Sequence, residues 1–160
     1  MSNLDWVGAV ADIEGASKYL RSEGSKKVGC VGFCMGGALS IAATVRYPDV
    51  IDAGVPFYGI PPAQLADPTK LQRPLQGHYG DKDAMAGFSD PTAVNQLENN
   101  LKTSGASYEL YRYPTVGHAF MNATDEGKTR RSKLGQGEHD QQAVDLAWSR
   151  VFQFFSKHLA

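Results

Sequence analysis

Apolar and polar positions alternate along this chain in blocks, and the period of each block predicts an element. From Asp5 to about Ser22, the residues Trp6, Val7, Val10, Ile13 and Tyr19-Leu20 recur near helical spacing, which predicts an amphipathic helix stopped at Gly24. Val28-Gly29-Cys30-Val31-Gly32 is a short apolar, β-branched run of the kind that makes a buried parallel strand. The run breaks at Gly32 and resumes at Met35 as a small-residue helix to about Arg46, where Tyr47-Pro48-Asp49 ends it. Ala53 to Tyr58 predicts a second strand. Pro74 to Tyr79 predicts a third, shorter and more polar, with the turn Gly80-Asp81-Lys82-Asp83 at its carboxyl end. Asp90-Pro91 supplies an N-cap and a first-turn proline for a helix through Leu97 and Leu101 to Ser104-Gly105. Ser107 to Tyr113 alternates as a fourth strand, and Pro114-Thr115-Val116-Gly117-His118 forms a loop at its far end. Residues 122–137 are polar without a period and predict a mobile surface loop. A closing helix from about Glu138 to His158 would bury Val144, Trp148, Val151, Phe152 and Phe155.

Strands that alternate with helices imply βαβ units, hence a parallel sheet with helices on both faces. Chemistry in such sheets collects at the carboxyl ends of the strands. Cys34, Asp83 and His118 each follow a predicted strand at that edge. The length of 160 residues fits a single domain, 1–160, and the 42% hydrophobic content fits a globular core. A formal net charge of −1 gives no reason to expect a nucleic-acid or anionic-membrane partner. No apolar run has the length of a membrane span, and Met1-Ser2-Asn3 leads into a polar helix rather than a signal peptide. The two cysteines, Cys30 and Cys34, are neither a C-x-x-C pair nor disulfide partners, which predicts a reducing, cytoplasmic setting. No cluster has metal-ligand spacing, so neither metal nor cofactor is expected.

Gly32-Phe33-Cys34-Met35-Gly36 has the form of a nucleophile elbow, a strand–turn–helix that lifts one reactive side chain above the sheet edge. A Cβ at Gly32 or at Gly36 is expected to collide as strand and helix close on each other. The helix N-terminus favours a thiolate at Cys34. A thiol attacks a carbonyl carbon well only when deprotonated, so it needs a base within hydrogen-bond reach, and His118 can serve. Asp81 and Asp83 both lie where a carboxylate would orient that histidine. Cys30 reads as a core residue, His78 as structural, and Tyr58, at the end of the second strand, as either a pocket wall or a plain packing residue. His139 and His158 have no assigned role.

The order nucleophile, acid, histidine is the chain order of the α/β-hydrolases. Gly32-Phe33-Cys34-Met35-Gly36-Gly37, Gly80-Asp81-Lys82-Asp83 and Tyr113-Pro114-Thr115-Val116-Gly117-His118-Ala119-Phe120 together resemble the dienelactone hydrolase (carboxymethylenebutenolidase) family. Ala147-Trp148-Ser149-Arg150 with Phe154-Phe155 is similar to its final helix, so the resemblance covers nearly the whole chain. It implies an α/β-hydrolase-type sheet that lacks the family's N-terminal strands, and hydrolysis of a small-molecule ester or lactone. It also implies Cys34 as nucleophile, His118 as base and Asp83, rather than Asp81, as the acid. The Met35 backbone N–H would then be one oxyanion donor. The family's substrate-binding arginine shortly after the histidine is matched here by Asn122, which favours general esterase chemistry over dienelactone specificity. An unpartnered edge of the elbow strand implies a homodimer. The competing expectation is a non-catalytic binding or assembly module.

Overall fold

The computed structural model describes residues 4–160, and the expectation drawn on Met1-Ser2-Asn3 lies outside them. Asp5 caps the first helix, α1 (Trp6–Ser22), by accepting the Gly8 N–H. In chain order follow β1 (Gly29–Phe33), α2 (Met35–Arg46), β2 (Ala53–Phe57), β3 (Leu75–Gly80), α3 (Pro91–Ser104), β4 (Tyr108–Tyr113), α4 (Asp125–Lys133) and α5 (Gln141–Leu159). The four strands among the described residues are parallel and lie side by side in sequence order, so their carboxyl ends share one edge.

Side-chain alternation along β2 separates the two faces of the sheet. Ala53, Val55 and Phe57 pack with Val144, Ala147, Val151 and Phe154 of α5 on one face. Gly54 points to the other, where a Cβ would overlap the Thr44 hydroxyl of α2. On that second face α1 lies over α2 through Val10, Leu39, Ala42 and Ala43. Ile41 of α2 joins Leu75 and Tyr79 of β3 and Val94, Leu97 and Leu101 of α3. Helices therefore cover both faces of a parallel sheet. The Phe57 ring lies between Phe33, 4.8 Å away, and His78, 4.4 Å away, and so packs the middle of the sheet.

Three sequence expectations change. The third strand is polar, as expected, but not the shortest: it has six residues against five each in β1 and β2, and all six are buried. Its polar side chains are satisfied internally. His78 bonds to the Tyr113 hydroxyl at 2.8 Å and to Gln76 at 2.9 Å, and the Gln76 amide donates to Glu109. Second, residues 122–137 are not a loop throughout but contain α4. Its stability comes from its ends rather than from an apolar stripe. The Thr124 hydroxyl accepts the Gly127 N–H, Asp125 and Glu126 sit in the first turn, and Arg130, Arg131 and Lys133 in the last. Third, the stripe of α5 that meets the sheet runs through Val144, Ala147, Val151 and Phe154. Phe152 falls off that stripe and is 66% exposed, while Trp148 and Phe155 are only partly buried.

Candidate active site

Cys34 stands between the end of β1 and the start of α2 with φ 54° and ψ −117°, a conformation that costs an L-residue about 1–3 kcal/mol. Its surroundings hold it there. The Cys34 N–H donates to the Phe57 carbonyl at 3.0 Å, and the Cys34 carbonyl accepts from Gly37 at 2.9 Å and Ala38 at 3.2 Å. A Cβ at Gly32 would overlap the Gly36 carbonyl, and one at Gly59 would overlap the Cys34 carbonyl. The expectation for Gly36 is corrected: a Cβ there meets nothing, because this glycine faces open space in front of the first turn of α2. Among the described residues, the non-glycine residues with positive φ are Cys34, Tyr58 and Ala119. Each lies at the carboxyl edge of the sheet, so backbone strain is concentrated where the topology gathers the reactive side chains.

The three residues picked out at strand ends meet there. The His118 Nε2 lies 3.1 Å from the Cys34 sulfur, and its Nδ1 lies 2.9 Å from the Asp83 carboxylate. Asp83 is buried, and its second oxygen accepts the Met85 N–H at 2.9 Å, which fixes the carboxylate plane. An ionised carboxylate can only accept, so Nδ1 carries the proton and Nε2 is left to exchange one with the thiol. Asp81, the other acid of the turn, points outward to an ion pair with Arg112 at 2.6 Å.

The electrostatics follow from this geometry. The hydrogen bond from His118 lowers the Cys34 thiol; burial opposes it, and the imidazolium charge and the Met35 backbone N–H assist it. For His118, burial favours the neutral ring, but hydrogen bonds to Asp83 and Cys34 and the charges of both raise it to about 9. The two shifts both act in the direction of a thiolate–imidazolium pair. Burial pushes Cys30 the other way, up to about 11, and leaves it an inert thiol.

A cavity of about 590 Å³ opens beside Cys34 and His118, walled by Met35, Met85, Asn122, Arg131 and Leu134 among others. Tyr58 is not one of its walls. It is buried behind the histidine, its ring edge-on to His118 at 5.2 Å. Asn122 does border the cavity, but its amide oxygen accepts the Thr124 hydroxyl at 2.8 Å and the Thr124 N–H at 3.1 Å. Arg131, buried in α4, donates from one guanidinium nitrogen, Nη1, to both the Ala119 and the Asn122 carbonyls, while its buried Nε has no partner among the described residues. Met35 lines the cavity and heads α2, so its N–H has no intrahelical acceptor and bonds to the Cys34 sulfur. The structure adds two contacts that sequence reasoning missed. The buried Ser89 hydroxyl lies 3.2 Å from His118 Nδ1, and Gln136 accepts the His118 N–H at 3.0 Å. No pattern announced Ser89; the flanking Gly135 and Gly137 were the available signal for Gln136.

A parallel sheet covered on both faces, with a strained residue at a strand–helix elbow, defines an α/β-hydrolase-type fold. A dienelactone hydrolase-like promiscuous phosphotriesterase from metagenomic libraries shares it, with a TM-score of 0.75 at 20% identity over 98% of this chain and 64% of that one. The chain matches the dienelactone hydrolase family over residues 4–159 and belongs to it. Protein usf of Aquifex pyrophilus is 31% identical over 142 residues, 89% of this chain and 56% of that protein. Carboxymethylenebutenolidase of Pseudomonas putida is 28% identical over 127 residues, 78% of this chain and 51% of that protein. The chain thus spans about half the length of the curated relatives it matches.

Proposed function

We propose that this protein hydrolyses small ester or lactone bonds with Cys34 as nucleophile, His118 as acid and base, and Asp83 as the group that orients His118. The observation that carries the reading is the unbroken hydrogen-bonded row from Asp83 through His118 to Cys34 at the wall of a cavity. The Cys34 thiolate attacks the carbonyl carbon, and the C=O electron pair moves onto oxygen, where the Met35 N–H stabilises it. As the tetrahedral adduct collapses, the His118 imidazolium gives its Nε2 proton to the departing alkoxide, leaving a thioester on Cys34. Neutral His118 then takes a proton from water as the water attacks the thioester. The acid leaves, and thiolate and imidazolium are restored. Throughout, Asp83 holds the ring in one tautomer and offsets its charge.

Neutral short-chain esters are expected to be turned over at least as well as carboxylate-bearing ones, since Asn122 carries no charge. A strong preference for an anionic substrate would point instead to Arg130 and Arg131, which also line the cavity. A reducing, cytoplasmic setting suits the two free thiols. The protein pairs with a second copy through the exposed edge of β1, where Val31 and Phe33 are half-exposed. Turnover of a p-nitrophenyl ester by the purified protein, abolished in Cys34→Ala, tests the catalytic reading. Hydrolysis that survives in Cys34→Ala would contradict it, as would a folded parent protein that turns over no ester or lactone.

A further inference from the structure

His118 sits on a loop, and a loop residue needs something to hold its ring within reach of a thiol on another strand. Two direct backbone links join that loop to the acid turn. Asp81 donates to the Tyr113 carbonyl at 2.9 Å, and Lys82 donates to the Val116 carbonyl at 3.0 Å. Both lie before His118. After it, the backbone turns through the left-handed Ala119, φ 58°, and leaves the sheet. At that point one side chain bridges the two segments. The Gln136 amide oxygen accepts the His118 N–H at 3.0 Å and the N–H of Ala84, the residue after Asp83, at 3.4 Å.

Its position is built for this contact. Gln136 is buried and lies between Gly135, φ 65°, and Gly137, φ 81°, which let the backbone turn on either side of it. Its own N–H donates to the Arg131 carbonyl at 3.0 Å, so α4 anchors it. Gly117 is glycine for the same reason: a Cβ there would overlap the Gln136 carbonyl and amide oxygens. Both bonds to the side chain are accepted from backbone donors, so the position requires an acceptor at amide length.

We propose that Gln136 is a positioning residue for the reaction. By tying the His118 backbone to the turn that carries Asp83, its amide oxygen keeps Nε2 within reach of the Cys34 sulfur and sustains the ion pair. The proposal rests on the catalytic reading of Cys34 and His118. A displacement of about 1 Å at such a site costs about 10²-fold in rate.

The test compares Gln136→Leu, which removes the acceptor, with Gln136→Glu, which keeps it. Two readouts are taken on folded protein: the pH profile of Cys34 alkylation by iodoacetamide, and kcat and KM on a p-nitrophenyl ester. In Q136L, alkylation at neutral pH slows, the thiol pKa rises toward the ordinary cysteine value of about 8.5, and kcat falls by about 10²-fold with KM little changed. Q136E recovers most of the parent alkylation rate. A parent-like alkylation profile in folded Q136L overturns the proposal, as does a Q136E as impaired as Q136L. Should Q136L not fold, Gln136→Asn draws the amide back by one methylene and carries the same expectation, with an unchanged profile again decisive against it. If the parent protein hydrolyses no ester, the proposed function falls, while the alkylation arm still decides the role of Gln136.

Discussion

The thiols of Cys30 and Cys34 lie four residues apart and are driven in opposite directions, one by burial and the other by His118. Iodoacetamide at neutral pH is therefore expected to label Cys34 much faster than Cys30. Equal rates in the folded protein would contradict the ion pair. The thiolate forms as pH rises through the lowered Cys34 value, and the imidazolium is lost as pH rises through about 9. Ester hydrolysis should accordingly give a bell-shaped pH profile whose basic limb falls near 9, and a rate still climbing well above that pH would be inconsistent with it. Asp83→Asn is expected to lower kcat by about 10²–10⁴-fold, because an amide would offer the ring the wrong tautomer. Asp81→Asn breaks only an exposed pair and should cost less than about 1 kcal/mol of stability with little loss of rate. At this scale Cys34 and His118 were legible because each follows a predicted strand, Cys34 after an apolar run and His118 after an alternating one, and strand ends in a parallel sheet gather reactive groups. Spacing alone left Asp81 and Asp83 level. The side chain of the one reaches Arg112 and that of the other His118, a choice fixed by the path of the turn and not by residue type.

The elbow is an arrangement of two elements, and its glycines are not equivalent. Gly32→Ala sets a methyl group against the Gly36 carbonyl, with rigid backbone on both sides, and should destabilise the protein by about 3 kcal/mol or more. Gly36→Ala faces open space in the first turn of α2 and should change stability by less than about 1 kcal/mol, toward greater stability if either way. Urea unfolding of the two variants reads the difference directly. A motif written with both glycines could not distinguish them, since only the path of the backbone decides which one is crowded. The same limit explains α4. Helical period is the signal for a helix that packs an apolar stripe, and α4 has none. It is held by the Thr124 cap, by charges matched to its ends and by buried Arg131. Those features were present in the sequence as Thr124, Asp125, Glu126 and the basic cluster, but they read equally well as a polar loop.

At the scale of the whole molecule, strands and helices alternating along the chain gave the parallel sheet and its two covered faces, because each apolar run must be buried against something. The edge was legible too. Among the described residues, β1 pairs with β2 on one side only, and exposed Phe152 stacks on Trp148, beside Phe33. Sedimentation at micromolar concentration should find a dimer, and Val31→Lys on that edge should shift it toward monomer. A cooperatively folded monomer at all concentrations would refute the pairing. What no pattern revealed was the clasp of α4 and Gln136 over the histidine loop, because it is made of single polar contacts between segments far apart in sequence. The central claim, that Cys34 carries the acyl group between two half-reactions, is tested most directly by trapping that group. After brief exposure to p-nitrophenyl acetate and acid quenching, mass spectrometry of the digested protein should find one acetyl group, on the peptide bearing Cys34, absent from His118→Gln. Turnover without acetylation of Cys34, or acetylation confined to another residue, would contradict the account.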